Sequence, residues 1–280
     1  MLKTLLAATA IIFAFATTTS AQNKYFLTYY NKAEKLYDAE DYINAKLYYD
    51  SALKKNPNNA LAYYKRGLCI YAEENLQGAF KDFNTSIYLD RTNAEAYNFR
   101  GDTKIRLKDT IGGLKDLDTS ILIEPNNYYF RIDRGVAYID LDSSRRALKD
   151  FSYAYNLDST KYKAVFYMGV ANYYIDSLDI AYKYFNKCNA IDSLASRPYY
   201  FIAKILYTID SYDEALSEIN TAIRLNDDKA YYLVLRAKIY MFNENEYDDD
   251  MAIEDLNKAI KMGSEEAKEL LAEYFSEGEG

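Results

Sequence analysis

Residues 60–93 read ALAYYKRGLCIYAEENLQGAFKDFNTSIYLDRTN, and residues 94–127 after them read AEAYNFRGDTKIRLKDTIGGLKDLDTSILIEPNN. Laid one under the other, the two stretches agree at Tyr63 and Tyr97, Arg66 and Arg100, Gly67 and Gly101, Asp82 and Asp116, and Ser86 and Ser120. Inside the first stretch, apolar residues recur every three or four from Ala62 to Ala72 and again from Leu76 to Leu89, the period of two amphipathic helices. The polar break between them ends in Asn75, whose side chain suits an N-cap. One copy is therefore a helix, a tight turn and an antiparallel helix.

The same phrase extends in both directions. A small residue stands at Ala33, Gly67, Gly101, Gly135, Gly169, Ala203 and Ala237, and a second series runs Ala45, Ala79, Gly113, Ala147, Ala181, Ala215 and Ala252. Apolar residues follow the second series at Tyr49, Phe83, Leu117, Phe151, Phe185, Ile219 and Leu256. Seven units result, at 26–59, 60–93, 94–127, 128–161, 162–195, 196–229 and 230–266, with Ala267 to Phe275 as a capping helix and a polar tail to residue 280. A repeat of this length marks a solenoid of stacked supersecondary units. The small residues belong where helix backbones approach closely; Gly113, inside a helix, is expected to cost about 1 kcal/mol relative to alanine. Asp142-Ser143, Asp176-Ser177 and Asp210-Ser211 supply N-cap chemistry at three turns.

Composition agrees with this and removes several functions. Half of the 280 residues are hydrophobic, enough for a substantial core, while Pro 3 and Gly 10 suit long helices joined tightly. His 0 excludes imidazole as base, nucleophile or metal ligand. There is no phosphate-cradling glycine loop, no activated nucleophile and no metal-ligand cluster, so no enzyme, cofactor or metal is expected. The cluster Glu244, Glu246, Asp248, Asp249 and Asp250 lacks the calcium-loop pattern and reads as a solvated acidic end. A net charge of −8 argues against nucleic acid as a partner.

Residues 1–21 read as a leader. Lys3 precedes an apolar run from Leu5 to Ala16, and a polar stretch ends at Ala21 before Gln22, the build of a secretory signal peptide cleaved after Ala21. Beyond it no run is long and apolar enough to span a bilayer. The expected protein is exported, periplasmic or extracellular. Cys69 and Cys188 lie three units apart, too far for the ~6 Å of a disulfide, and read as buried free thiols.

Because the units are mutually comparable, two positions can be checked against each other within this single chain. The seventh position holds Lys32, Arg66, Arg100, Arg134, Met168, Ile202 and Arg236; the twenty-third holds Tyr48, Asp82, Asp116, Asp150, Tyr184, Glu218 and Asp255. Arginine occurs only where aspartate faces it. Four ion pairs, Arg66–Asp82, Arg100–Asp116, Arg134–Asp150 and Arg236–Asp255, are expected to lock helix to helix, since buried arginine needs a partner.

The chain resembles the tetratricopeptide-repeat family through Tyr63, Gly67, Ile70, Ala79 and Phe83 of the second unit and through Pro57 and Pro125 at the ends of the first and third. The absence of Trp and the loss of proline from most units depart from the family pattern. The resemblance implies an all-α solenoid in a right-handed superhelix, with the first helix of each unit lining a concave groove. Its groove positions fall on Tyr30, Tyr64, Tyr71, Asn98, Lys163, Tyr173, Arg197, Tyr200, Lys204, Tyr207 and Lys238. Tyrosine there offers rigid area with a polar tip, although it also fills packing positions such as Tyr48, Tyr97 and Tyr199. Lys163, Arg197, Lys204 and Lys238 suit an acidic or carboxylate-bearing segment, or read as solvated lysines and arginine. The chaperone clamp of some family members finds Tyr30 and Glu34 where it needs lysine and asparagine.

These readings lead to a non-enzymatic scaffold that binds a protein or peptide segment in the groove. Two alternatives stay open: a structural subunit or homo-oligomer using its convex face or acidic end, and carbohydrate binding on the tyrosines.

Overall fold

The computed structural model describes residues 23–243 and 247–275, and the leader expected over 1–21 lies outside them. Among the described residues every regular element is helical. In chain order they are α1 (residues 23–38), α2 (Tyr42–Lys55), α3 (Ala60–Ala72), α4 (Leu76–Leu89), α5 (Ala94–Arg106), α6 (Thr110–Ile123), α7 (Tyr128–Asp140) and α8 (Ser144–Leu157). There follow α9 (Tyr162–Tyr174), α10 (Leu178–Ile191), α11 (Ser196–Thr208), α12 (Tyr212–Leu225), α13 (Ala230–Phe242), α14 (Asp249–Lys261) and α15 (Glu265–Phe275). No described helix is long and apolar enough to cross a membrane. The chain divides into two compact units, one through Ala137 and one from Tyr138.

In the first unit, α3 packs on α4 and α5 on α6, each hairpin closing over a buried apolar side chain: Phe83 in one, Leu117 in the other. The glycines sit where this closure requires them. A Cβ on Gly67 would lie 2.7 Å from the Phe83 ring, so the helices meet at that distance only without one. Gly101 and Gly113 face each other across α5 and α6: a Cβ on Gly113 would fall 2.6 Å from the Gly101 carbonyl oxygen and 2.5 Å from Ile105 Cγ1. The expectation that alanine would serve better at Gly113 is thus corrected, because the propensity gain is outweighed by overlap with fixed backbone.

The second unit repeats the arrangement through α9–α10, α11–α12 and α13–α14. Val165, Phe166, Phe185, Phe201 and Ile202 form one cluster, and Ile219, Tyr232 and Leu235 a second. Alpha-15 begins at Glu265, two residues earlier than its expected start, and closes the end by burying Ala267 against α13 and α14 beside Leu270, Leu271 and Phe275. Cys69 in the first unit and Cys188 in the second are buried free thiols, and burial pushes each up to about 12, where the reactive thiolate is absent at neutral pH.

The turn inside each of the first six repeats is the same device. Glu40, Glu74, Lys108, Asp142, Asp176 and Asp210 take positive φ, between 52° and 71°, although none is glycine. At each, the amide of the positive-φ residue and the next amide bond back to the helix just ended, as Lys108 N does to Ile105 O (2.9 Å) and Asp109 N to Lys104 O (2.8 Å). This is the Schellman closure. Asp41, Asn75 and Asp109 then cap the second helix through their side chains. Ser143, Ser177 and Ser211 occupy the same place without a side-chain cap bond, which corrects the N-cap expectation for those three turns. The Ser211 hydroxyl instead donates to Glu214 (2.9 Å).

Candidate partner-binding surface

The position-seven arginines anchor second helices to first helices. Arg66 Nε and Nη2 donate to Asp82 at 2.7 Å each; Arg100 donates to Asp116 at 2.7 and 2.8 Å; Arg236 donates to Asp255 at 2.7 and 2.8 Å. Arg134 lies in the first unit and Asp150 in the second, so their pairing stays an expectation from sequence. Each arginine also spends its remaining nitrogen on the preceding repeat: Arg66 on Asp50, Arg100 on Asn84, Arg134 on Asp118 and Arg236 on Asn220. Sequence reading missed this third contact, whose signal was an Asp or Asn sixteen residues before each arginine. These groups are committed to the scaffold and leave nothing over for a ligand.

The expected positions on the first helices of the first unit are likewise engaged within the protein, although Asn98 Oδ1 is buried without a hydrogen-bond partner among the described residues. Tyr64 is 9% exposed and packs between Phe83 and Phe99 with ring centroids 6.2 and 6.1 Å away. Tyr71 donates to Asp102 while the Arg106 guanidinium covers its ring at 5.1 Å. Asn98, 4% exposed, donates to Asp133 at 2.6 Å. Tyr30 packs against Phe26 and Tyr49. Tyr64 and Asn98, expected on a binding surface, are buried packing residues, because their helix positions face the next repeat.

The second unit differs. On α9 and α11 the expected positions form a wall of aromatic rings carrying cations. The Arg197 guanidinium lies 4.5 Å over the Phe166 ring, which is itself stacked on Tyr162 at 5.9 Å. Lys204 Nζ stands 5.1 Å from Tyr173 and 6.0 Å from Tyr200. Tyr200 stacks on Tyr232 at 5.1 Å and meets the half-exposed Tyr231 edge-on at 4.9 Å. Burial raises the Tyr173 and Tyr200 hydroxyls above the ordinary tyrosine range, so both stay neutral donors. Lys163 is exposed, and Tyr207 packs on Tyr212 and Phe242. Lys238 does not join the wall: its ammonium pairs with Glu266 of α15 at 2.6 Å.

A cation held over rings keeps its outward N–H donors for an anion while the rings supply apolar area, which suits a carboxylate-bearing extended segment. Sequence reading placed these rings on the first helices but did not anticipate that the cations would sit over them. Their signal was spacing: Phe166 precedes Arg197, and Tyr173 precedes Lys204, by the same interval across the α9–α11 pair. Among the described residues no cluster of Cys, Asp or Glu could hold a metal ion.

Comparison with known proteins follows the same lines. Residues 30–101 and 196–229 each match a tetratricopeptide-repeat family model. No curated protein matches the chain. Among solved structures, a tetratricopeptide-repeat protein from Parabacteroides merdae superposes with a TM-score of 0.72 at 21% identity, over 89% of this chain and 98% of that one. PilF of Pseudomonas aeruginosa matches with a TM-score of 0.66 at 15% identity, over 78% and 99%. YrrB, described as a repeat protein of this kind with an unusual peptide-binding site, matches with a TM-score of 0.53 at 18% identity, over 66% and 95%. Residues 30–101 and 196–229 thus carry tetratricopeptide repeats, and the same helical hairpin recurs through both compact units in a chain whose fold is that of the solved tetratricopeptide-repeat solenoids.

Proposed function

We propose that this protein is an exported, non-enzymatic adaptor that holds an extended, acidic segment of a partner protein against the first helices of its second unit. The observation that carries the reading is the wall on α9 and α11, where Arg197 and Lys204 are seated on Phe166, Tyr173 and Tyr200 with their donors unspent on carboxylates. Scaffolding of protein partners is the family's general role, and the peptide-binding site ascribed to YrrB supports a peptide as the ligand class here. Aromatic faces bury area at low entropic cost, and two oriented cations select the sign of the partner.

Binding of the purified protein to an array of extended acidic peptides and their neutral counterparts tests this. Arg197→Glu with Lys204→Glu is expected to abolish acidic-peptide binding while leaving the helical circular-dichroism signal unchanged, and equal retention by the variant would overturn the reading. Export is tested by sequencing the N-terminus of the protein recovered from its native cell, expected to begin at Gln22.

A further inference from the structure

Two open clefts lie on one edge of the second unit, at equivalent places two repeats apart. One, of about 510 Å³, is framed by the turn before α8, with Arg145 and Arg146, and by Tyr174 and Ile175 at the end of α9. The other, of about 570 Å³, is framed by the turn before α12, with Asp210, Asp213 and Glu214, and by Phe242 and Asn243 at the end of α13. Position for position, Arg145 corresponds to Asp213 and Arg146 to Glu214. The same shape therefore recurs with the charge reversed at these two positions, while Asp142 and Asp210 keep an aspartate at the equivalent place in both. The corresponding residues of the first three repeats carry no charge: Ile43-Asn44, Gln77-Gly78 and Ile111-Gly112.

Among the described residues neither arginine meets a carboxylate, and the Arg146 guanidinium borders the Tyr138 ring at 5.8 Å. Asp210 and Glu214 accept from the hydroxyls of Tyr212 and Ser211, and among the described residues from no cation. Between the clefts, the start of α10 in the fifth repeat exposes Ile180 at 47%, and the residue just after α11 in the sixth, next to Asp210, exposes Ile209 at 59%. A basic cleft, an apolar centre and an acidic cleft in line make a surface that complements itself when turned about a two-fold axis through its centre.

We propose that this edge is a dimer interface whose occupant is a second copy of the chain. The basic cleft of each copy receives the acidic cleft of the other, and Ile180 and Ile209 pack against their counterparts at the axis. Asp176 and Asp179 lie on the central turn and repel their counterparts there, so the contact is reversible and salt-dependent. None of these residues belongs to the wall on α9 and α11, so dimerisation and peptide binding fail independently.

Sedimentation equilibrium of the purified protein tests the proposal. The wild type is expected to dimerise, with a dissociation constant rising at least ~10-fold between about 50 mM and 500 mM salt as the Debye length shrinks. Arg145→Glu with Arg146→Glu makes both clefts acidic, and Asp210→Lys with Glu214→Lys makes both net basic; Lys108 already occupies the equivalent of Asp210 at φ 71°, so the turn forms with lysine there despite its strain. Each variant alone is expected to be monomeric. An equimolar mixture of the two is expected to dimerise, a result that misfolding of either cannot produce. A monomeric wild type, a dimer insensitive to salt and to both variants, or a mixture that stays monomeric would each overturn it.

Discussion

Asp116 holds two cations of the first unit. It is 4% exposed and receives both Arg100 and Lys104, the latter at 2.8 Å. Removing it strands two cations in a partly buried site, and Asp116→Ala is expected to cost about 3 kcal/mol in urea unfolding, more than the paired change Arg100→Met with Asp116→Leu. Equal midpoints for Asp116→Ala and wild type would refute this. Glu218 shows the complementary case. It occupies the aspartate position opposite Ile202 instead of an arginine, and burial holds its carboxyl above the ordinary range. A raised carboxyl pKa means that the folded state prefers the protonated form. Its stabilising contribution is fully present below the ordinary carboxyl range and is lost as pH rises through the folded-state value. Glu218→Gln is therefore expected to raise the melting temperature at pH 7, with the difference closing toward about pH 4, where the unfolded carboxyl also protonates.

At the scale of helices and turns, sequence reading succeeded where a residue type had one physical use. The glycines at Gly67 and Gly101 announced close helix approach, and the arginine–aspartate covariation announced hairpin pairs that the geometry displays at Arg66, Arg100 and Arg236. It failed where the controlling fact lay in a neighbouring helix. Gly113 looked expendable because its opposition to Gly101 across the hairpin is not a local property; Gly113→Ala is expected to lower stability by about 1–3 kcal/mol, measured by thermal unfolding. The turns hid for the opposite reason: left-handed backbone is anticipated from glycine, and Glu40, Glu74 and Lys108 gave no such sign. Because lysine is strained there, Lys108→Gly is expected to stabilise by about 1 kcal/mol, net of the extra freedom glycine gives the unfolded chain. The aspartates at 142, 176 and 210 tolerate the conformation better and should gain less from the same change.

Neither compact unit has a single centre in the sense that a globular domain does. Within each unit the described helices pack mainly on their neighbours in sequence, and α11 and α13 also touch across an intervening helix, so each hairpin depends on the hairpins beside it. Stability in such an array is close to a sum of unit terms and nearest-neighbour terms, and damage propagates only as far as those terms reach. This is also why the candidate surface was only partly legible: one repeat's residues are readable from its own pattern, whereas Arg197 over Phe166 exists only through the stacking of two repeats. The last hairpin makes the test sharp, since Arg236 joins Asp255 to Asn220 of the preceding repeat and α15 alone covers the other side. Asp255→Ala leaves that arginine without its buried carboxylate and is expected to speed amide exchange in α13, α14 and α15 by at least ~10-fold, with a lesser effect in α12. Exchange in α3 to α6 should match the wild type. Uniform acceleration through all helices would show instead that the array unfolds as one cooperative block and that the additive picture of its stability is wrong.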